Sequence, residues 1–264
     1  MLGAIAGDII GSIYEANPIK TKKFPLFSPH CRFTDDTVLT VAIAKAILEG
    51  REYIETVREL GKRYINAGYG GMFLRWLNSP DPRPYNSWGN GSAMRVSPIG
   101  FAFDTKDKVF LEAKKSSEIT HNHPEAIKGA QAVAYCIYLA RKGGGKKEIR
   151  QEIAESFGYD LETTVEEIRP SYHFDVSCKG TVPPAIICFL DSDSYEDAVR
   201  NAVSLGGDSD TLACITGAIS EAYYGSVPHY IISQVKKYLT EELWEIVERF
   251  YNEFDLPKIE TSLL

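Results

Sequence analysis

Residues 34–50 read TDDTVLTVAIAKAILEG, and from Thr37 to Leu48 the stretch is apolar nearly all round. Gly50 follows as a stop signal, so the pattern describes a helix buried on most sides, and a helix of that kind belongs at the centre of a fold. Outward from it, Ile54, Val57, Leu60 and Tyr64 recur at three- and four-residue spacing, which predicts a half-buried helix over Glu52 to Asn66. Pro124 opens a longer helix whose stripe is Ala126, Ala130, Val133, Ile137 and Tyr138, ended by Gly143 to Gly145. Further helices are predicted over Lys147–Phe157, Leu161–Ile168, Pro183–Leu190, Tyr195–Leu205 and Thr211–Tyr224, and around Leu243, Ile246, Val247 and Phe250. Strict period-two alternation is nearly absent, so sheet architectures give way to an all-α fold, a single compact helical bundle. From Gly68 to Pro98 the chain is rich in Gly, Pro, Asn and Ser; it reads as irregular, and loops of that length usually bind something.

The chain has 264 residues, and at about 150 residues per domain that length allows one large domain or two small ones. No linker-like segment divides it, so residues 1–264 are read as one domain. With 44% hydrophobic and 25% charged residues the composition is that of an ordinary globular protein. A net charge of −7 and the lack of a long basic run argue against duplex nucleic acid as a partner. The N-terminal MLGAIAGDIIGSIYE has Asp8 in its middle and no positive leading region, which is unlike a signal peptide. No apolar run reaches the roughly 18 residues that spanning a bilayer requires. The five cysteines suit neither a disulfide scaffold nor a zinc clip, and are read as reduced and mostly buried. A soluble, cytoplasmic monomer is expected.

Thr34-Asp35-Asp36-Thr37 introduces one apolar helix, and Asp208-Ser209-Asp210-Thr211 introduces another in the opposite half of the chain. Either stretch alone is also what an ordinary helix cap looks like. Together they suggest more, because a cap does not need several carboxylates in front of a buried helix. If the two starts converge, their charges repel unless protonated or neutralised by metal, and an all-oxygen donor set favours Mg²⁺, Mn²⁺ or Ca²⁺ over Zn²⁺. Asp8 and Glu15, in GDIIGSIYE, can join such a site or merely cap a helix. Two other signals fail: Gly143 to Lys147 lacks the remaining residues of a phosphate loop, and the Gly7–Gly11 spacing has no preceding strand.

Taken in order, GAIAGDIIGSIYE, FTDDTVLTVAIAKAI, GNGSAMRVSPIG, THNHPEAIKGAQAVA and GGDSDTLACITGAISEAYYG closely resemble the ADP-ribosylglycohydrolase family, which includes dinitrogenase-reductase-activating glycohydrolase and the ADP-ribosyl-acceptor hydrolases. The resemblance covers most of the chain. It implies the orthogonal all-α bundle of that family, with two Mg²⁺ or Mn²⁺ ions at the base of a cleft for ADP-ribose. Thr34, Asp35 and Asp36 would ligate from one side and Asp208, Asp210 and Thr211 from the other, with Glu15 as catalytic carboxylate and Asp35 assisting. Asn90, Gly91, Ser92 and Met94 fall where the family approaches the diphosphate, and His121 where it contacts ligand, while His123 can cap a helix. Tyr69, Gly70, Gly71 and Met72 can meet sugar or phosphate, and Trp88 can stack on a base. The implied activity is hydrolysis of the bond between C1″ of ADP-ribose and an acceptor, carried by a protein or a small conjugate. A silent ADP-ribose binder and a two-metal phosphatase acting on an ADP-ribose phosphate are the competing readings.

Overall fold

In the computed structural model, which describes residues 1–257 and Ile259, the chain is helical throughout. The helices are α1 (Leu2–Gly11), α2 (Asp35–Glu49), α3 (Tyr53–Arg63), α4 (Gly71–Asn78), α5 (Gly91–Met94), α6 (Ser97–Ala102), α7 (Lys106–Glu118) and α8 (Pro124–Arg141). They continue as α9 (Lys146–Phe157), α10 (Val165–Ile168), α11 (Cys178–Leu190), α12 (Tyr195–Ser204), α13 (Ser209–Tyr224), α14 (His229–Tyr238) and α15 (Glu241–Glu253). The β pairing among the described residues is an isolated bridge between Gly89 and Ser177. No described helix is long and apolar enough to cross a membrane, and all five cysteines are buried and free.

The central helix behaves as its sequence dictates. Thr34 caps α2 by accepting from the Asp36 N–H, and Gly50 closes it in the left-handed conformation with φ +62°, its N–H donating to the Ala46 carbonyl. Nearly every residue from Asp36 to Ala46 is buried.

Helix α13 packs most intimately on α1, and three glycines make this possible. Gly3, Gly7 and Gly11 recur every four residues and so share one face of α1. Each lies where an added β-carbon would collide with backbone of α13: at Gly217 for Gly3, Ala213 for Gly7 and Ser209 for Gly11. Close approach of two helix axes requires small residues at the contact, and here the backbones themselves touch. The glycine spacing is thus a packing device.

Several expectations shift. Residues 68–98 are not irregular throughout: α4 lies within them and buries Phe73, Trp76 and Leu77, a face masked in the sequence by the flanking glycines. The helix expected over Leu161–Ile168 is only α10, because Thr164 and Glu167 form a reciprocal capping box that fixes its start. Conversely, α11 begins at Cys178 rather than Pro183, capped by the Ser177 hydroxyl. Its two prolines lie inside the helix, and the Gly180 carbonyl that Pro184 cannot satisfy accepts instead from Tyr172 Oη at 3.0 Å. Helices α7 and α14 were not legible, since each buries only a few apolar side chains on an otherwise polar surface.

Gly7→Ala should destabilise the protein by about 3 kcal/mol, because the new methyl group has no space between two backbones. Gly71→Ala, with nothing within 4 Å of the added carbon, should change stability by less than about 1 kcal/mol. Denaturant unfolding of both variants checks the contrast.

Candidate functional site

The α1–α13 contact brings three acidic stretches together. Asp8, fully buried within α1, accepts through Oδ2 from the backbone N–H groups of Thr34 (2.9 Å) and Thr37 (3.1 Å) and from the Thr37 hydroxyl. Its Oδ1 accepts from Thr34 Oγ1 at 2.7 Å. Asp8 therefore caps α2 from a neighbouring helix. With capping supplied by Thr34 and Asp8, Asp36 is left free: its Oδ2 accepts from Thr211 Oγ1 at 3.3 Å, across 175 residues of chain, and its Oδ1 is buried with no partner.

On the other side, Asp208 occupies the N-cap position of α13 without capping it. Its Oδ2 accepts from Asn90 Nδ2 at 2.7 Å, and the same amide donates to Thr181 Oγ1 at 3.1 Å. Asp210 accepts from the Thr211 N–H at 3.0 Å. Two sets of carboxylate oxygens result, Asp8 with Asp36 and Asp210, and Glu15 with Asp208 and Asp210, each lying within 4.8 Å of one another. Asp210 belongs to both. Asp35 and Thr34 line the same cleft, and Asp35 Oδ1 lies beside Gly68.

Burial and mutual repulsion act on every carboxyl here. Burial pushes Asp8 up to about 6; burial and then the Asp8 charge push Asp35 up to about 7. Asp36 and Asp210 are raised well above the ordinary carboxylate range, first by burial and then by their acidic neighbours. Glu15, closer to solvent, is raised by burial and by Asp208, against a lowering pull from Arg32. No lysine or arginine among the described residues compensates Asp36 or Asp210. An all-oxygen cluster with an orphaned buried carboxylate oxygen, and with Arg32 acting only on Glu15 at its solvent edge, fits hard divalent cations.

The carboxylates lie in a cleft of about 580 Å³. Asn90, Gly91, Met94, His121 and Gly71 line it, as do Gly70 and Met72. Two side chains turn away from the cleft. Ser92 is buried with its hydroxyl donating to the Ala126 carbonyl at 2.9 Å, and Tyr69 stacks on Phe73 with its ring centroid 4.9 Å away. Trp88 is half exposed outside the lining, and His123 caps α8 by accepting from the Glu125 N–H. The cleft also contains Arg32, Arg75, Tyr85, Arg95, Phe174 and Val176. Nothing in the spacing of these residues marks them, because they come from segments without periodicity or from motif positions that look like packing.

A family model, ADP-ribosylglycohydrolase, matches residues 1–260. The chain belongs to the ADP-ribosylglycohydrolase family. Among its relatives, ADP-ribosylhydrolase ARH3 of Mus musculus is 25% identical, the match covering 85% of this chain and 82% of the relative. ADP-ribosylarginine hydrolase Tri1 of Pseudomonas putida is 28% identical, with 85% and 69% covered. A solved structure titled "ADP-ribosylglycohydrolase-related protein complex" shares the fold with a TM-score of 0.73 at 24% identity, covering 95% of each chain.

The raised carboxyls set the sign of a pH effect. Below about pH 4 they are protonated in folded and unfolded chain alike; as pH rises towards 7 the unfolded chain ionises first, so the cation-free fold loses stability. A bound cation favours the ionised form and reverses that loss. The rise in Tm caused by Mn²⁺ over chelated protein should therefore widen from pH 5 to pH 8, and Asp36→Asn should remove most of it. Differential scanning fluorimetry checks both.

Proposed function

We propose that the chain is a divalent-cation-dependent hydrolase that cleaves the bond between C1″ of the distal ribose of ADP-ribose and an acceptor group. The observation that carries this reading is the convergence of the Asp36 and Asp210 carboxylates at the base of a cleft in a member of the ADP-ribosylglycohydrolase family. Relatives named as an ADP-ribosylhydrolase and an ADP-ribosylarginine hydrolase support the substrate class.

Thr34, Asp35 and Asp36 on one side, and Asp208, Asp210 and Thr211 on the other, would hold two Mg²⁺ or Mn²⁺ ions. When bound, such ions supply Lewis acidity and a template for vicinal ribose hydroxyls. Asn90 holds Asp208 in place through its amide, and Gly91, Met94, Gly71 and His121 form the walls against which the nucleotide part lies. Glu15 stands beside Asp208 and Asp210, and its raised affinity for a proton suits a group that takes one from water and returns one to the leaving group. In the net reaction the water oxygen forms a new bond to C1″, the C1″–acceptor bond breaks, and the acceptor leaves carrying a proton. Five free, buried cysteines suit a reducing compartment and thus a cytoplasmic enzyme. We read the working unit as one domain and a monomer.

Release of ADP-ribose from arginine-, serine- and acetyl-linked conjugates, assayed with Mg²⁺ and with Mn²⁺, tests the reading and identifies the acceptor. Glu15→Gln should lower kcat by about 10²-fold or more, and Asp35→Ala or excess chelator should abolish turnover. Full activity in either of the last two would refute the metal mechanism, and ADP-ribose binding without turnover on any conjugate would make the protein a binder.

A further inference from the structure

Arg95 is fully buried beneath the cleft. Its Nη2 donates to the Ser116 carbonyl at 2.8 Å and to Thr120 Oγ1 at 2.9 Å, while its Nε and Nη1 have no partner. Thr120 Oγ1 in turn lies 2.6 Å from His121 Nδ1. These three groups form a chain whose proton directions can be worked out. The guanidinium only donates, so Thr120 Oγ1 accepts from it and has its own hydrogen left to give. Thr120 is fully buried, and a buried hydroxyl hydrogen without an acceptor costs about 1–3 kcal/mol. The Tyr85 phenol also meets the Thr120 hydroxyl; being protonated, it can donate to the second lone pair of Oγ1, which leaves His121 Nδ1, 2.6 Å away, to accept the Thr120 hydrogen and places the ring proton on Nε2.

Both the position and the charge of the imidazole support this order. The backbone pins His121 on both sides: its N–H donates to the Ser117 carbonyl at 2.8 Å, and its own carbonyl accepts from Ser117 Oγ at 2.7 Å. The ring edge carrying Nε2 lies against the Gly89–Gly91 turn, 3.0 Å from where a β-carbon on Gly91 would stand and 3.6 Å from one on Gly89. Nε2 itself has no protein partner among the described residues. The titratable and charged neighbours are Arg95 and Tyr85: burial and the Arg95 charge hold His121 well below its ordinary value, and burial keeps the Tyr85 phenol protonated by pushing it up to about 12. The ring is thus neutral, with one proton to place.

We propose that Arg95 and Thr120 are positioning residues that lock His121 as a neutral Nε2–H donor, aimed across the Gly89–Gly91 turn at a phosphate oxygen of the ligand's diphosphate. The proposal rests on the reading of the cleft as an ADP-ribose site. The same guanidinium has no carboxylate hydrogen-bonded to it and feels the Asp35 charge only at longer range, so it contributes positive potential beneath the ligand's most anionic part.

The test uses the ligand-free full chain first, which separates failure of this proposal from failure of the functional reading. Long-range ¹H–¹⁵N correlation of the histidine rings, with His121 assigned by its loss in His121→Gln, should find Nδ1 unprotonated and Nε2 protonated. Thr120→Val keeps the side-chain shape, removes the hydroxyl, and should shift the ring away from that tautomer while weakening ADP-ribose binding by about 10-fold. Thr120→Ser should restore both, which a purely structural role for the side chain would not require. A proton on Nδ1 in the wild-type protein would overturn the proposal. So would wild-type tautomer in Thr120→Val, or wild-type affinity there despite a changed tautomer. If the wild-type protein binds no ADP-ribose, the functional reading fails, and the tautomer measurements still decide whether the relay exists.

Discussion

The structure depends on the backbone contact between α1 and α13. Because Gly3, Gly7 and Gly11 present no side chain to Gly217, Ala213 and Ser209, the first helix and the helix near the far end of the chain lie closer than ordinary side-chain packing permits. Asp8 follows Gly7 in sequence, and Asp210 follows Ser209, so the residues that make the contact also fix the spacing of the carboxylates. A cluster of buried acids opposes folding, and the apolar burial of the surrounding helices must offset it. The rigidity of a glycine seam is a reason the offset can be achieved without the acids drifting apart.

Acidic residues near a helix start can either serve the helix or remain available for chemistry. Here the two tasks are divided between residues. Asp8 is saturated by donors from Thr34 and Thr37, which stabilises the start of α2 and leaves Asp35 and Asp36 free of that duty. Thr211 links the halves by donating to Asp36, a direct hydrogen bond between two segments far apart in sequence. Asn90 does the same for Asp208 from a third direction. Asp36, Asp208 and Asp210 thus each accept from a neutral donor, which holds the carboxylate without cancelling its charge.

Much of this was legible before any coordinates. The buried character of α2 and α13, their acidic starts and the helical class all follow from local pattern, and the paired starts pointed to a shared site. What the pattern could not show is division of labour. A carboxylate in the middle of an apolar helix, like Asp8, reads equally as ligand or cap, and only the meeting of α1 with α2 shows that its oxygens are largely taken up by capping. Arg95 follows Met94 in a glycine-rich motif, and nothing in the local pattern marks its burial. The side chains of Ser92 and Tyr69 turn into the core although their sequence neighbours line the cleft, a distinction no local pattern carries. Prolines misled in the opposite sense: Pro183 reads as a helix start, whereas it lies inside α11 beside Pro184, and the Gly180 carbonyl that Pro184 leaves unsatisfied is taken up by Tyr172.

The wide separation of the two acidic turns along the chain bears on biosynthesis. A ribosome releases Thr34–Asp36 long before Asp208–Thr211, so the early carboxylates must stay hydrated, or be masked by chaperones, until the later helix emerges. Contacts of such long range delay collapse, and a cation cannot template the nascent chain, since half of its donors do not yet exist. Any cation held between the two turns would therefore bind last, and a misfolded copy in which α13 has failed to dock against the N-terminal helix would have nowhere to retain it.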